Sequence, residues 1–321
     1  VSILVLIVSG WPMDSLSALV TSMGLHGRVD LLCRFAGQWS VPQPAAPPGQ
    51  LPYHVVLAGE GVLEVGRERR PFVAGDLVLF PRGSAHTMRH ADGATAAFNE
   101  VRRPLGRIVE VASDAPRSEF DVLCGTFELG QHHALLLQAL PEVVHLSTRD
   151  RDDYAGLHAL MRMMRHESVQ SSPGGDAVIA SLSASLFTLV VRTLIAEGAV
   201  REGLLALLAD TRVAPALAAV IAAPAEPWTL ERLAEASRMS RASFARHFAE
   251  LSAMTPMDVV TALRMDLAAR LLRETPRPIE LIGEACGYAS RAAFGQAFKR
   301  VHGTSPAAFR RQAGEAASNK V

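Results

Sequence analysis

The sequence predicts an α+β chain of two dissimilar halves: a β-barrel or sandwich, then a helical linker, then an all-α domain of two helix-turn-helix units. Three observations predict it. Residues 30–146 carry short apolar runs (53–57, 62–65, 77–80, 95–101 and 120–124) broken by Gly, Pro and Asn, the mark of a small all-β unit. From residue 151 onward the apolar spacing turns helical. Residues 230–321 repeat themselves at a nearly fixed offset.

The 321 residues suit two domains, and half of them are hydrophobic, enough for ordinary cores. Residues 1–223 hold 18 Lys/Arg and 22 Asp/Glu, a net −4; residues 224–321 hold 14 and 10, a net +4. That excess favours phosphate without by itself identifying a nucleic-acid binder. Three scattered cysteines, Cys33, Cys124 and Cys286, exclude a secreted disulfide scaffold and suit reduced thiols in a cytosol. The apolar run at 3–8 is too short to span a bilayer, so a soluble, cytoplasmic chain without a membrane partner is expected. Met13 opens an amphipathic segment, and residues 1–12 read as a start extension.

In chain order, residues 14–24 read as a short helix. Residues 13–148 form the β-rich domain, and the stretch 41–52, with five prolines, reads as a loop. A linker follows at 149–212 with helices at 154–167 and 176–198. The stripe Leu182, Leu186, Leu189, Val190 and Leu194 on the second of these suits packing in its own domain or a homodimer interface. Residues 214–223 are an Ala-rich helix and 224–227 a boundary. Residues 213–312 form the last domain, with a tail at 313–321.

The repeat is visible without any second sequence. Ser240-Arg241-Ala242-Ser243-Phe244 recurs as Ser290-Arg291-Ala292-Ala293-Phe294, Phe248 as Phe298, and Thr255-Pro256 as Ser305-Pro306, all 50 residues apart. Leu230-Glu231 matches Ile279-Glu280 at an offset of 49, so one residue differs inside the turn. Each copy parses as helix, turn, helix, with Thr229, Ser240 and Ser290 as caps and Gly287 ending a helix at positive φ. The Phe pairs face inward. The second helix of each copy is the candidate reader of a major groove. Its DNA-facing residues are Ser240, Arg241, Ser243 and Arg246 in the first copy, and Ser290, Arg291, Gln296, Lys299 and Arg300 in the second. Arg and Gln can each make paired hydrogen bonds to one base edge, whereas Arg300, Arg310 and Arg311 suit phosphates. A helix at 257–273, with Leu263, Leu267 and Leu271 on one face, would space the readers about 34 Å apart for successive grooves.

On these residues, together with Trp228-Thr229-Leu230, Arg264-Met265, Gly287-Tyr288 and Gly303-Thr304-Ser305-Pro306, residues 214–311 resemble the DNA-binding domain of the AraC/XylS family. The resemblance implies a transcription regulator on double-stranded promoter DNA, commonly dimeric and working with RNA polymerase. Gly283 and Cys286 stand where that family usually has Ala and Val.

In the β-rich half, Gly75, Pro81, Gly83, His86 and His90 follow a spacing that resembles the second cupin motif, whose His is commonly a metal ligand. The first motif offers only His54, so a full catalytic metal centre, and with it a DNA-tethered cupin enzyme, is disfavoured; no catalytic residue is named and no cofactor is required. His54, His86, His90 and Cys124 would supply two or three ligands for zinc or another divalent metal, or His86 simply ties two turns together. His132 and His133, adjacent on a strand, would point opposite ways.

Cys33 and Cys124 read either as small buried hydrophobes or as sensors. The segments Asp14-Ser15-Leu16-Ser17, Cys33, Trp39, Gly75-Asp76, Ala85-His86, Cys124-Gly125, Leu140-Pro141 and Phe187-Thr188-Leu189 resemble an AraC-type subgroup of cupin-bearing activators that respond to reactive chlorine by oxidising cysteines. That resemblance implies a redox role for Cys33 and Cys124. A regulator gated by a small molecule in the same barrel is the alternative.

Overall fold

The computed structural model describes residues 14–22, 25–91, 99–114, 117–129, 137, 140–148 and 154–318. The chain divides into two compact units. One is Leu25–Val200; the other joins the N-terminal segment to Arg201–Val321.

The first unit holds eleven described strands: β1 (His26–Phe35), β2 (Ser40–Gln43), β3 (Gln50–Ala58), β4 (Glu60–Val65), β5 (Glu68–Val73), β6 (Asp76–Leu79), β7 (His86–Arg89), β8 (Glu100–Leu105), β9 (Ile108–Ser113), β10 (Phe120–Glu128) and β11 (Val144–Ser147). They form a seven-stranded sheet, β11-β6-β3-β10-β1-β9-β8, and a four-stranded sheet, β2-β7-β4-β5. Pairing is antiparallel except between β1 and β9. The core includes Phe35, Trp39, Phe72, Phe80, Phe120, Val122 and both Cys33 and Cys124. Trp39 stacks on Phe120 at 4.4 Å between ring centroids. Buried apolar area of this kind is the main stabilising term.

Alternate residues of β1, β3 and β10 point to the opposite face of the large sheet. There Tyr53 stacks on Phe127, and Phe127 meets Phe187 edge to face. Phe187 lies on a long helix that packs on β1. With both faces covered, β10 is buried along nearly all its length, which explains why Val122-Leu123-Cys124 at its centre runs apolar without alternation.

Several expectations are corrected. Residues 41–52 are not simply loop: β2 and the start of β3 enter them, with Pro42 and Pro52 inside strands. Pro42 sits on an outermost strand, where a missing N–H leaves no gap in the ladder. Of the run 95–101, only its end falls in β8; residues 92–98 lie outside the described residues, as do residues 1–12 and His132 and His133. The helices of the expected linker, α2 (Ala155–Val169) and α3 (Gly175–Ala196), pack on each other and α3 on β1, so they belong to the β-rich unit. Eight of α3's residues are buried. It is long and apolar enough to cross a membrane, and this packing is where that apolarity is spent.

The second unit contains α1 (Ser15–Ser22), α4 (Leu204–Ala209), α5 (Ala214–Ala222), α6 (Leu230–Ala236), α7 (Arg241–Ser252), α8 (Pro256–Glu274), α9 (Ile279–Ala285), α10 (Arg291–His302) and α11 (Pro306–Ser318). The short N-terminal helix α1 packs on α5 and buries Leu19, so it joins the helical unit rather than the β-rich one. Around α8, Phe244 and Phe248 fill one half of the core, and Phe294, Phe298 and Phe309 the other. Gly283 faces the Phe294 ring, where an added Cβ would come within 3.2 Å; the small residue lets that ring close over α9.

The two copies differ in how the turn is made. Gly287 takes φ +79, and its counterpart in the first copy, Arg238, takes φ +52. Left-handed backbone disfavours a residue with a Cβ. Arg238→Gly is expected to stabilise the chain by about 1 kcal/mol after the loss of unfolded-state restriction is counted. Urea unfolding checks this, read as a raised midpoint at unchanged slope.

His302 sits against Phe298 and Phe309, its Nε2 facing the Met265 carbonyl at 3.2 Å. Burial pushes its pKa down to about 4, below the ordinary 6.5. The unfolded chain therefore binds the extra proton first, and stability present above pH 6.5 is lost as pH falls toward 4. Thermal unfolding from pH 7 to 4.5 should show a smaller acid loss for His302→Gln than for the parent chain.

Candidate DNA interface and thiol–imidazole site

In the helical unit, each reading helix is started by a hydroxyl. The Ser240 Oγ accepts from the Ser243 N–H at 3.3 Å, and the Ser290 Oγ from the Ala293 N–H at 3.1 Å. Thr229 and Thr255 cap α6 and α8 in the same way. Ser240 and Ser290 thus aim the helices, and their oxygens satisfy N–H groups that would otherwise be orphaned.

Among the candidate readers, Arg246 on α7 and Gln296, Lys299 and Arg300 on α10 are exposed, and no protein partner holds their side chains among the described residues. Arg246 and Gln296 occupy the same place in the two copies, 50 residues apart. Arg241 and Arg291 are exposed but occupied: Arg241 pairs with Glu231 at 2.7 Å and Arg291 with Glu280 at 2.6 Å. Ser243, in the first turn of α7, is half-buried. Between the copies, α8 is 19 residues long, about 28 Å at 1.5 Å per residue, and it packs on both reading helices. Phosphate-suited Arg310 is instead bonded to the Leu272 and Arg277 carbonyls.

In the β-rich unit the structure brings together residues far apart in sequence. Cys124 on β10 lies directly across from His54 on β3. Cys33 on β1 is opposite Val122, so it is offset by two from Cys124 on the same inward face. The His54 Nδ1 is 3.1 Å from the Cys124 Sγ, and the His54 Nε2 is 2.8 Å from the His86 Nε2. The His86 Nδ1 is 2.8 Å from the Ser84 carbonyl. His86 is fixed further by stacking on Phe80 at 3.7 Å.

One group decides where the protons sit. A carbonyl only accepts, so the His86 Nδ1 carries a proton. Burial and the neighbouring His86 hold His54 well below the usual imidazole range, and burial lowers His86 as well, so both rings are neutral. The His86 Nε2 is then an acceptor, and the His54 Nε2–H donates to it. The His54 Nδ1 is left as an acceptor, facing Cys124. The adjoining Cys33 thiol and burial push Cys124 well above the usual thiol range, so its S–H is present and donates to His54. The result is a one-way row: Cys124 to His54 to His86 to the Ser84 carbonyl.

This row does not have the form of the expected zinc site. A metal takes one nitrogen from each imidazole, and the two nitrogens of His54 are turned to different members of the set. Among the described residues no three His, Cys, Asp or Glu side chains gather around a point a metal would occupy. His90 supports the barrel through its backbone N–H, which bonds the Trp39 carbonyl.

Cys286, the third cysteine, is buried in the helical unit with its pKa pushed up to about 12 by burial, and it serves as a core residue. The Glu–Arg pairs and the direct Cys124–His54 register are features that sequence reasoning missed. The repeated Leu230-Glu231 and Ile279-Glu280 carried a signal for the first; nothing local carried the second.

Comparison with known proteins agrees with both halves. Residues 14–196 match a cupin family model, and residues 233–312 a helix-turn-helix domain model. The chain is 30% identical to the reactive-chlorine-specific (RCS-specific) transcriptional activator RclR of Escherichia coli, covering 93% of this chain and 97% of that one. It is 30% identical to the regulator MtrA of Neisseria gonorrhoeae, covering 94% and 100%. It is 28% identical to an uncharacterized helix-turn-helix regulator of Haemophilus influenzae, covering 93% and 99%. The doubled helix-turn-helix unit, the β-rich unit before it and these full-length relatives agree: the chain belongs to the AraC-type, DNA-binding transcription regulators that carry an N-terminal cupin domain.

Proposed function

We propose that this regulator senses a strong thiol oxidant of the hypochlorous acid class through Cys33 and Cys124, and that a disulfide between them resets its action at promoters. The observation that carries the reading is two buried thiols in one core cluster on adjacent strands, one of them 3.1 Å from an imidazole nitrogen. The likeness to an RCS-specific activator supports it.

A thiolate is the usual nucleophile toward peroxides, and Cys124 is held as a thiol. Such a site responds poorly to a weak oxidant. Hypochlorous acid is small, uncharged in its acid form and a far stronger electrophile at sulfur. In the proposed step the Cys124 sulfur takes chlorine as the Cl–O bond breaks. The thiol proton passes to the His54 Nδ1, whose Nε2 proton moves on to the His86 Nε2; the imidazolium so formed gives up one proton, and the departing hydroxide takes up one and leaves as water. The Cys33 sulfur then displaces chloride, forming the S–S bond and releasing its own proton. Two thiols lose two electrons in all; hypochlorous acid gains them and becomes chloride and water.

The fold supports a mechanical consequence. Residues offset by two across an antiparallel pair have Cα atoms about 7–8 Å apart, whereas a disulfide wants at most about 7 Å. Closing the bond therefore draws β1 toward β10. The far face of β1 has no slack: a Cβ added at Gly27 would fall 2.1 Å from the Ser183 Cβ of α3. A shift of β1 is thus felt by α3, and four residues of chain separate the end of α3 from the first residue of the helical unit. The large aromatic side chains filling the barrel interior favour this reading over a ligand held inside the barrel.

On this reading the protein acts in the cytosol, as a homodimer on double-stranded promoter DNA, and engages RNA polymerase; it is not an enzyme. Cys33→Ser and Cys124→Ser should each abolish the change in promoter output that hypochlorous acid produces, while DNA binding by the reduced protein is retained. His54→Leu should keep both thiols and slow the response on the order of tenfold or more, since the proton acceptor is lost. An undiminished response in both serine variants would remove the proposal.

A further inference from the structure

The same ion pair is built at the start of both reading helices. Arg241 and Arg291 are the first residues of α7 and α10, and Glu231 and Glu280 lie in the first turns of the preceding helices α6 and α9. Arg241 meets Glu231 at 2.7 Å and Arg291 meets Glu280 at 2.6 Å, with every partner at least 47% exposed. Ion pairs this exposed contribute little to stability, so stability does not account for building the same one twice. Each carboxylate also sits at a helix N-terminus, where the helix dipole favours its charge, and Glu231 is further held ionised by its own backbone N–H and by Thr229.

The N-terminus of a reading helix is where phosphates approach. A free guanidinium there would attract any duplex, whatever its sequence, because non-specific binding is almost wholly phosphate electrostatics. A guanidinium with its charge matched by a carboxylate attracts far less. Arg246 and Gln296, one turn further on, have no such partner and remain available for base edges.

We propose that Glu231 and Glu280 are specificity determinants: they clasp Arg241 and Arg291 and suppress binding to non-cognate DNA. The proposal rests on the chain's DNA binding and is independent of the thiol reading, because its test uses reduced protein without oxidant.

The test is binding of the full chain to a random-sequence duplex across a salt series, alongside the strongest duplex the parent chain selects from a randomised pool. In the Glu231→Gln/Glu280→Gln double variant, two guanidiniums are released. Affinity for random DNA should rise on the order of tenfold at low salt, and the slope of log affinity against log salt should steepen by up to about two. Preference for the selected duplex should fall. Glu235→Gln/Glu284→Gln makes the same charge change on the same helices, at carboxylates that hold no arginine among the described residues, and should alter the slope little. Adding Arg241→Ala/Arg291→Ala to the first variant should erase its gain. Equal effects of the two glutamine pairs would reduce the clasp to general charge and overturn the proposal, as would an unchanged slope in the first. Loss of affinity for both duplexes in the first variant would also overturn it, by showing that the carboxylates position the arginines for binding.

Discussion

The chemistry of the β-rich unit depends on one hydrogen bond, from the His86 Nδ1 to the carbonyl of Ser84. Because that oxygen can only accept, it sets the tautomer of His86, then that of His54, and so leaves an unprotonated, accepting nitrogen against Cys124. The turn carrying Ser84 is itself tied down, with the Gly83 N–H bonded to the Phe80 carbonyl and the Ala46 N–H to the Gly83 carbonyl. A buried polar row satisfied at every step is rigid and specific. The same row with its anchor removed would leave unpaired polar groups in an aromatic core, a costly arrangement.

The helical unit works on a different constraint, repetition. Two copies of one design, each with a hydroxyl cap, an inward Phe pair and an Arg–Glu contact, are held on the single helix α8. The copies are not identical where they would face DNA. Arg246 in one corresponds to Gln296 in the other, and these side chains suit different base edges. Similar supports with different readers allow one duplex to be read at two unlike sites.

Much of the helical unit was legible because its evidence is local. Caps, Phe spacing and the turn glycine all lie within a dozen residues of one another, and the second copy checks the first. In the β-rich unit, strands with a plain apolar run were legible, whereas β5 was hidden by Glu68, Arg69 and Arg70 on an outermost strand. The β-branched residues Ile108, Val109 and Val111 carried a signal that would have found β9. His54, His86, Cys33 and Cys124 were all marked by residue type, but their order was not. Which histidine faces which cysteine depends on the register of β3 against β10, and those strands are about 70 residues apart in the chain. A ligand cluster and a hydrogen-bonded row draw on the same residues, and only that register separates them.

The most direct test is the sulfur chemistry itself. Purified, reduced protein treated with one equivalent of hypochlorous acid, then digested without reductant and mapped by mass spectrometry, should yield one new species. That species joins the peptide of Cys33 to the peptide of Cys124, with Cys286 still free. Equal amounts of hydrogen peroxide should produce it far more slowly. If both cysteines instead remain thiols, or are oxidised separately without a cross-link, while the promoter response to the oxidant persists, the account is contradicted.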